Sequence, residues 1–185
     1  MAYPSARQPK TIKFVNLLGR GLQKLEIEKP SMLPIEALIR KAFTQTGLDD
    51  FGDDSFFPAL EKLAVSLERE ARLSQLGRIA AHAMLLDNLK LRLNLTDYRK
   101  KRPEIAQQTI RRPLFVLGLP RTGTTILYEL LAQDPAHRAP STWEVAQPIP
   151  PAQRETFQSD PRIAVVEKTV QKMESLAPEF QAIHA

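Results

Sequence analysis

The sequence predicts an α/β fold with a parallel sheet, preceded by a mainly helical region. Three observations carry this. Apolar residues recur at helical spacing from Pro34 to Tyr98. A short apolar run, Leu114 to Leu117, reads as a buried strand. Directly after it, Gly118 opens a loop that closes at Gly123-Thr124-Thr125 and runs into a second helical pattern.

The elements follow in order. Residues 1–33 contain three prolines and Gly19-Arg20-Gly21, and read as an irregular arm. Pro34 to Thr46 reads as a helix: Pro34 suits the first turn, Ile35, Leu38, Ile39 and Phe43 form the apolar face, and Gly47 stops it. Asp49 to Asp54 is an acidic, glycine-containing turn without a calcium-loop pattern. Ser55 to Tyr98 is helical, with Ser55 as N-cap and Pro58 in the first turn. One stripe is Leu60, Leu63, Leu67 and Ala71; another is Leu76, Ile79, Ala80, Ala83, Leu86, Leu89 and Leu93. The disturbed pattern at residues 73–77 predicts two helices or a bend, and Met84 is expected in the core.

A short helix over residues 103–109 leads to the strand. Beyond the loop, Thr125 to Gln133 is a helix ended by Asp134-Pro135. Ala136 to Thr142 crosses back to the sheet, with room for a short strand. Gln147 to Ala152 is a proline-rich loop. Asp160 caps a helix with Pro161 at its first position, running to about Leu176.

Composition narrows the chemistry. A chain of 185 residues, 43% hydrophobic and 25% charged, can bury a sizeable core. It has no cysteine, which excludes disulfides, thiolate nucleophiles and cysteine metal sites. No apolar run approaches the roughly 20 residues that cross a bilayer, and the N-terminus lacks a secretory pattern. A cytoplasmic location is expected. Residues 1–112 carry 20 Lys+Arg against 13 Asp+Glu, and residues 113–185 carry 6 against 8. The basic clusters Arg99-Lys100-Lys101-Arg102 and Arg111-Arg112 lack interleaved aromatics, so a solvated helical surface is expected rather than a nucleic-acid site. His82, His137 and His184 are too scattered for a metal cluster.

The loop is the chemically informative feature. Strand, tight loop and helix start present backbone N–H groups to a phosphate. The nucleotide-binding form of such a loop is G-x-x-x-x-G-K-[ST]. Gly118 and Gly123 keep that spacing and Thr125 keeps the hydroxyl, but Thr124 occupies the lysine position. The loop's cation is Arg121, two residues before the second glycine. Absence of the lysine argues against ATP or GTP hydrolysis, which also needs a magnesium-holding aspartate.

Over Pro120-Arg121-Thr122-Gly123-Thr124-Thr125 the chain resembles the sulfotransferases that use 3′-phosphoadenosine 5′-phosphosulfate (PAPS). The resemblance continues through residues 130–135, Arg138 to Glu144, Pro148 to Pro151 and Asp160 to Ile163. It is similar to a bacterial-type branch with a helical N-terminal region. It implies a P-loop-type three-layer fold and transfer of a sulfuryl group to a hydroxyl acceptor, either a small molecule or a carbohydrate or lipid, without a metal. It assigns the 5′-phosphosulfate to Pro120, Arg121, Thr122, Gly123, Thr124 and Thr125, with Arg121 against the bridging oxygen. Sulfuryl transfer builds charge on the leaving phosphate, which these backbone donors, hydroxyls and guanidinium would stabilise.

A hydroxyl acceptor requires a general base. Glu144 stands where a glutamate base occurs in the tyrosylprotein branch, and Trp143 is its neighbour. The other reading of Glu144 is a structural ion pair or helix cap. His184 is a second candidate base, His137 reads as a surface residue, and His82 as a packing residue.

Three regions are expected: the arm 1–33, a helical region 34–112, and the first part of the catalytic α/β domain, 113–185. One strand with 68 residues after it cannot complete a covered parallel sheet, and the family's 3′-phosphate element has no match. An incomplete sheet and an N-terminal fragment of a longer enzyme are therefore expected, and such a fragment alone need not be active. A homo-oligomer is compatible with the helical region. Two other functions stay open: a divergent P-loop kinase or NTPase, and a non-catalytic helical interaction module.

Overall fold

The computed structural model describes residues 34–119 and 122–176. The arm expected over residues 1–33, and the candidate base His184, lie outside the described residues. Contacts divide the chain into two compact units. The described residues up to Arg102, with those from Val170 onward, form one; Pro103–Thr169 forms the other.

The first unit is helical. Helix α1 spans Ile35–Thr46, α2 Phe57–Arg69 and α3 Gln75–Lys101. Pro34 precedes α1 in extended conformation, and Gly47 ends it at φ 69°, with its N–H donating to the Phe43 carbonyl at 2.8 Å. Glycine adopts this left-handed C-cap without a Cβ penalty. The two expected helices are present, and Ser74 starts the second one: its hydroxyl accepts from the Gly77 N–H at 3.2 Å.

The N-cap expected at Ser55 is instead one turn of 3₁₀ helix, Asp54–Phe56, capped by Asp53. The Asp53 carboxylate accepts from the Ser55 N–H, and that bond holds its pKa below the usual 3.8. The Asp53 carboxylate, two residues upstream, takes up the Ser55 amide and so moves the cap to Asp53. Pro58 then sits in the first turn of α2, where no donor is lost.

The core is formed by Leu38 and Ala42 of α1, Ala64 of α2, and Leu85, Leu86, Leu89 and Leu93 of α3, with Phe51 from the connecting turn. Phe43, Phe56 and Phe57 surround Phe51, with ring centroids 5.3, 5.3 and 5.9 Å away. Leu86, Leu89 and Leu93 are buried as expected, but Ile79, Ala80, Ala83 and Met84 are exposed. The buried stripe of α3 runs through Ala81, Leu85, Leu89 and Leu93. The N-terminal half of α3 is apolar on several faces, so periodicity alone does not select the packed one.

The turn after α1 is not merely solvated. Arg92, Thr96 and Lys100 lie four residues apart on one face of α3. Arg92 donates to the carbonyls of Phe51 (3.1 Å) and Asp53 (2.6 Å), Thr96 to Phe51 (3.2 Å), and Lys100 pairs with Asp50. The Arg92 guanidinium also lies 4.1 Å from the Phe56 ring centroid.

In the second unit, the short helix expected over residues 103–109 is a 3₁₀ helix at Pro103–Gln107. Helices α4 (Thr124–Ala132) and α5 (Thr142–Ala146) follow, and α6 (Pro161–Leu176) begins here. Residues 114–119 form no regular secondary structure; no strand is formed among the described residues, and none forms over residues 136–142. The expected parallel sheet is therefore not seen. A strand exists as a ladder of hydrogen bonds to a neighbour, and Leu114–Leu117 meets none. Its apolar side chains are correspondingly open: Phe115 is 76% and Leu117 88% exposed. No described helix is long and apolar enough to cross a membrane.

Candidate functional site

The loop after Leu117 starts from a close approach. A Cβ added to Gly118 would stand 2.7 Å from both Thr122 Oγ1 and Thr124 Cγ2. No side chain fits there, so Gly118 is required by packing. Thr122 closes the turn by donating its hydroxyl to the Leu119 carbonyl at 2.7 Å. Gly123 sits at φ 82° as the N-cap of α4, with no side chain capping the helix. The first α4 turn bond is from Leu127 N–H to the Gly123 carbonyl, 3.0 Å. The amides of Thr124, Thr125 and Ile126 precede that bond and, among the described residues, are the unpaired donors of a helix N-terminus.

Of the sequence-predicted cofactor residues, Thr122, Gly123, Thr124 and Thr125 thus come together around one helix start. Pro120 and Arg121 lie outside the described residues. The Thr122 hydroxyl proton is spent inside the loop, whereas the hydroxyls of Thr124 and Thr125 have no partner among the described residues.

Glu144 is placed at α5. The stretch Ser141-Thr142-Trp143-Glu144 forms a capping box. Its signature, a serine followed three residues later by glutamate, is readable in the sequence. Glu144 Oε2 accepts from the Ser141 N–H at 2.8 Å, and Oε1 accepts from Arg138 Nη2. Trp143 and Glu144 are buried, 7% and 9% exposed. Trp143 packs on Phe157, ring centroids 5.2 Å apart. Glu144 therefore makes both the cap and the ion pair that its alternative reading named.

A second arginine, Arg162, organises the neighbourhood, and no sequence signal marks it for that role. Arg162 grips Asp160 through Nε (2.8 Å) and Nη2 (2.6 Å). Its Nη1 donates to the carbonyls of Gln147 (2.7 Å) and Pro150 (2.6 Å), and its guanidinium lies 4.8 Å from the Trp143 ring centroid. One planar fork thus ties the α6 start, the proline loop and the α5 tryptophan together. Asp160 also accepts from the Arg162 N–H, so the expected cap is in place.

The Arg162 hydrogen bonds lower the Asp160 pKa from 3.8 to about 2. A depressed carboxylate pKa contributes stability that is fully present above the unfolded value and is lost as pH falls through the folded one. Between pH 4 and 2 the protein should therefore lose the clamp, read as a change in the emission of Trp143, its sole tryptophan. Asp160→Asn should flatten that part of the profile; an unchanged acid transition in the variant would rule the clamp out as its cause.

A cavity of about 340 Å³ is lined by Arg138, Glu144 and Arg162 and by the apolar side chains of Pro140, Val145, Pro148, Pro151 and Ala152. The Tyr128 hydroxyl, on α4, donates to the Pro140 carbonyl at 2.7 Å. The cavity wall is thus fastened to the helix that carries the loop. His137 lies in the exposed turn after α4, its Nδ1 3.3 Å from the Leu131 carbonyl. His82 is half-buried on α3.

The sequence profile of the Sulfotransferase family matches residues 113–184. The crystal structure of sulfotransferase STF1 from Mycobacterium tuberculosis H37Rv superposes with a TM-score of 0.69 at 34% identity, over 81% of this chain and 42% of that one. Sulfotransferase STF9 from Mycobacterium avium gives 0.65 at 33% identity, over 75% and 35%. The chain spans less than half the length of either. No curated protein sequence matches it. The structural likeness covers more of the chain than residues 113–184 alone supply, so it takes in helical residues before the loop as well. The profile match places residues 113–184 in the sulfotransferase family, and the two structural likenesses support that assignment for the chain.

Proposed function

We propose that this chain carries the 5′-phosphosulfate site of a PAPS-dependent sulfotransferase that acts on a hydroxyl acceptor. One observation carries the reading: a phosphate-type loop, with Gly118 packed on Thr122 and Thr124, in which threonine replaces the nucleotide-hydrolysing lysine. The free α4 amides and the Thr124 and Thr125 hydroxyls bind the 5′-phosphate, and Arg121 meets the bridging oxygen as negative charge grows there. In the transfer, the sulfur–oxygen bond to the phosphate breaks and a new one forms to the acceptor oxygen, in line. The acceptor proton passes to Glu144. A carboxylate has about four lone-pair sites. Arg138 and the Ser141 amide fill two, leaving room for an acceptor hydroxyl.

The test is ligand-induced thermal stabilisation. 3′-Phosphoadenosine 5′-phosphate without magnesium should stabilise the protein by about 2.7 kcal/mol at 100 times its Kd, a Tm shift of roughly 5–10 °C. Stabilisation by Mg-ATP alone would favour a kinase or NTPase. A stable, monodisperse chain that binds neither nucleotide would favour a helical interaction module. Glu144→Gln should lower turnover more than cofactor affinity; equal turnover would leave Glu144 with its cap and ion pair only.

A further inference from the structure

The cavity beside α5 has an unusual electrical character. Arg138 is neutralised by Glu144, and Arg162 by Asp160. Both carboxylates are nearly buried, as is the Arg162 side chain, so the floor holds two closed ion pairs. The Arg138 side chain is the exception, 70% exposed. One guanidinium nitrogen is engaged with Glu144, and a guanidinium has five N–H donors, so it retains donors for a ligand oxygen. Around this polar corner the wall is apolar and stiff. Pro140, Pro148 and Pro151 have fixed φ, and Ala152 leaves space rather than filling it. At about 340 Å³ the cavity stands at the lower end of ligand sites, the size for one ring-sized body.

We propose that this cavity is a ligand subsite that takes an uncharged, oxygen-bearing apolar molecule, an alicyclic or aromatic alcohol, and discriminates against the same body bearing a carboxylate. The apolar body packs on the proline wall and its oxygen accepts from Arg138. An anion entering the cavity loses its hydration but gains no net counter-charge, because each arginine already faces its own carboxylate. Its extra negative charge also meets Glu144. Charge balance of the wall, rather than its shape, therefore sets the discrimination. Describing the occupant as the acceptor rests on the sulfuryl-transfer reading above; binding itself does not, since it needs no nucleotide.

Trp143 reports on the site, being next in sequence to Glu144 and stacked beneath Arg162. The 185-residue chain is titrated, without nucleotide, with cyclohexanol and with 4-hydroxycyclohexanecarboxylate at neutral pH. Both are optically silent. Cyclohexanol should change Trp143 emission saturably in the millimolar range, and the carboxylate should need at least about tenfold more, a difference of ~1.4 kcal/mol. Ala152→Phe fills the cavity while keeping all four ion-paired residues, and should abolish the cyclohexanol response. The proposal is overturned by an absent or non-saturable response, by a carboxylate that binds as well as the alcohol, or by an unchanged response in Ala152→Phe. Those results would leave nucleotide stabilisation, and so the donor-site reading, standing.

Discussion

Arg121→Ala is expected to lower sulfuryl transfer by roughly 10²–10³-fold, the cost of removing one preorganised donor at developing charge. Arg121 is the one cation between Gly118 and Thr125, and the position where a lysine would reach the phosphates holds Thr124. The remaining donors are neutral amides and hydroxyls. They bind a phosphate in ground and transition state alike, whereas a guanidinium at the bridging oxygen strengthens as charge accumulates on it. Affinity for 3′-phosphoadenosine 5′-phosphate should fall less, by about ten- to a hundred-fold, as for one charge-assisted contact of ~1.5–3 kcal/mol. Arg121→Lys should recover part of the rate, because it keeps the charge and loses the planar fork. Single-turnover rates and calorimetric titration separate the two effects. Unchanged transfer in Arg121→Ala would remove this residue from the mechanism.

The parts of the fold that the sequence expressed were those decided within a few residues. Pro34, Gly47, Ser74 and the Asp160-Pro161 pair mark helix ends through bonds that reach at most a few positions along the chain. Gly118 and Gly123 announced a loop because only glycine tolerates the close approach at one and suits the left-handed backbone at the other. Even local chemistry misled once: Asp53 and Ser55 both suit a cap, and the carboxylate two residues earlier wins.

What stayed hidden depends on partners far along the chain. Leu114–Leu117 has the composition of a buried strand, yet a strand is defined by its neighbour and none is present among the described residues. In the sequence, Arg162 is simply the residue after Asp160-Pro161. Its fork reaches back to Gln147 and Pro150, and no spacing rule predicts that reach. Glu144 is the intermediate case. Its capping box was readable from Ser141, whereas its pairing with Arg138, six residues before it across a turn, needed coordinates.

The helical unit offers the largest effect on stability. Leu93 is fully buried, 0% exposed, in the stripe that α3 turns toward Leu38 and Ala42 of α1. Leu93→Ala should destabilise this unit by about 2–5 kcal/mol, the transfer cost of the lost methyl and methylene groups plus that of the cavity left behind. Met84 is the internal control. The sequence placed it in the core, but it is 48% exposed. Met84→Ala removes as many heavy atoms, one of them sulfur, from a side chain that keeps much of its contact with water, so it should cost under about 1 kcal/mol. Helical ellipticity followed through urea unfolding measures both, with the m-value checking that each variant exposes the same surface. A marginally stable domain has only about 5–15 kcal/mol in hand, so Leu93→Ala alone brings it close to unfolding at ordinary temperature. Equal losses for the two variants would mean that α3 presents a different face to α1. The same result would reassign the register of the whole helix, including the Arg92, Thr96 and Lys100 contacts that hold the turn after α1.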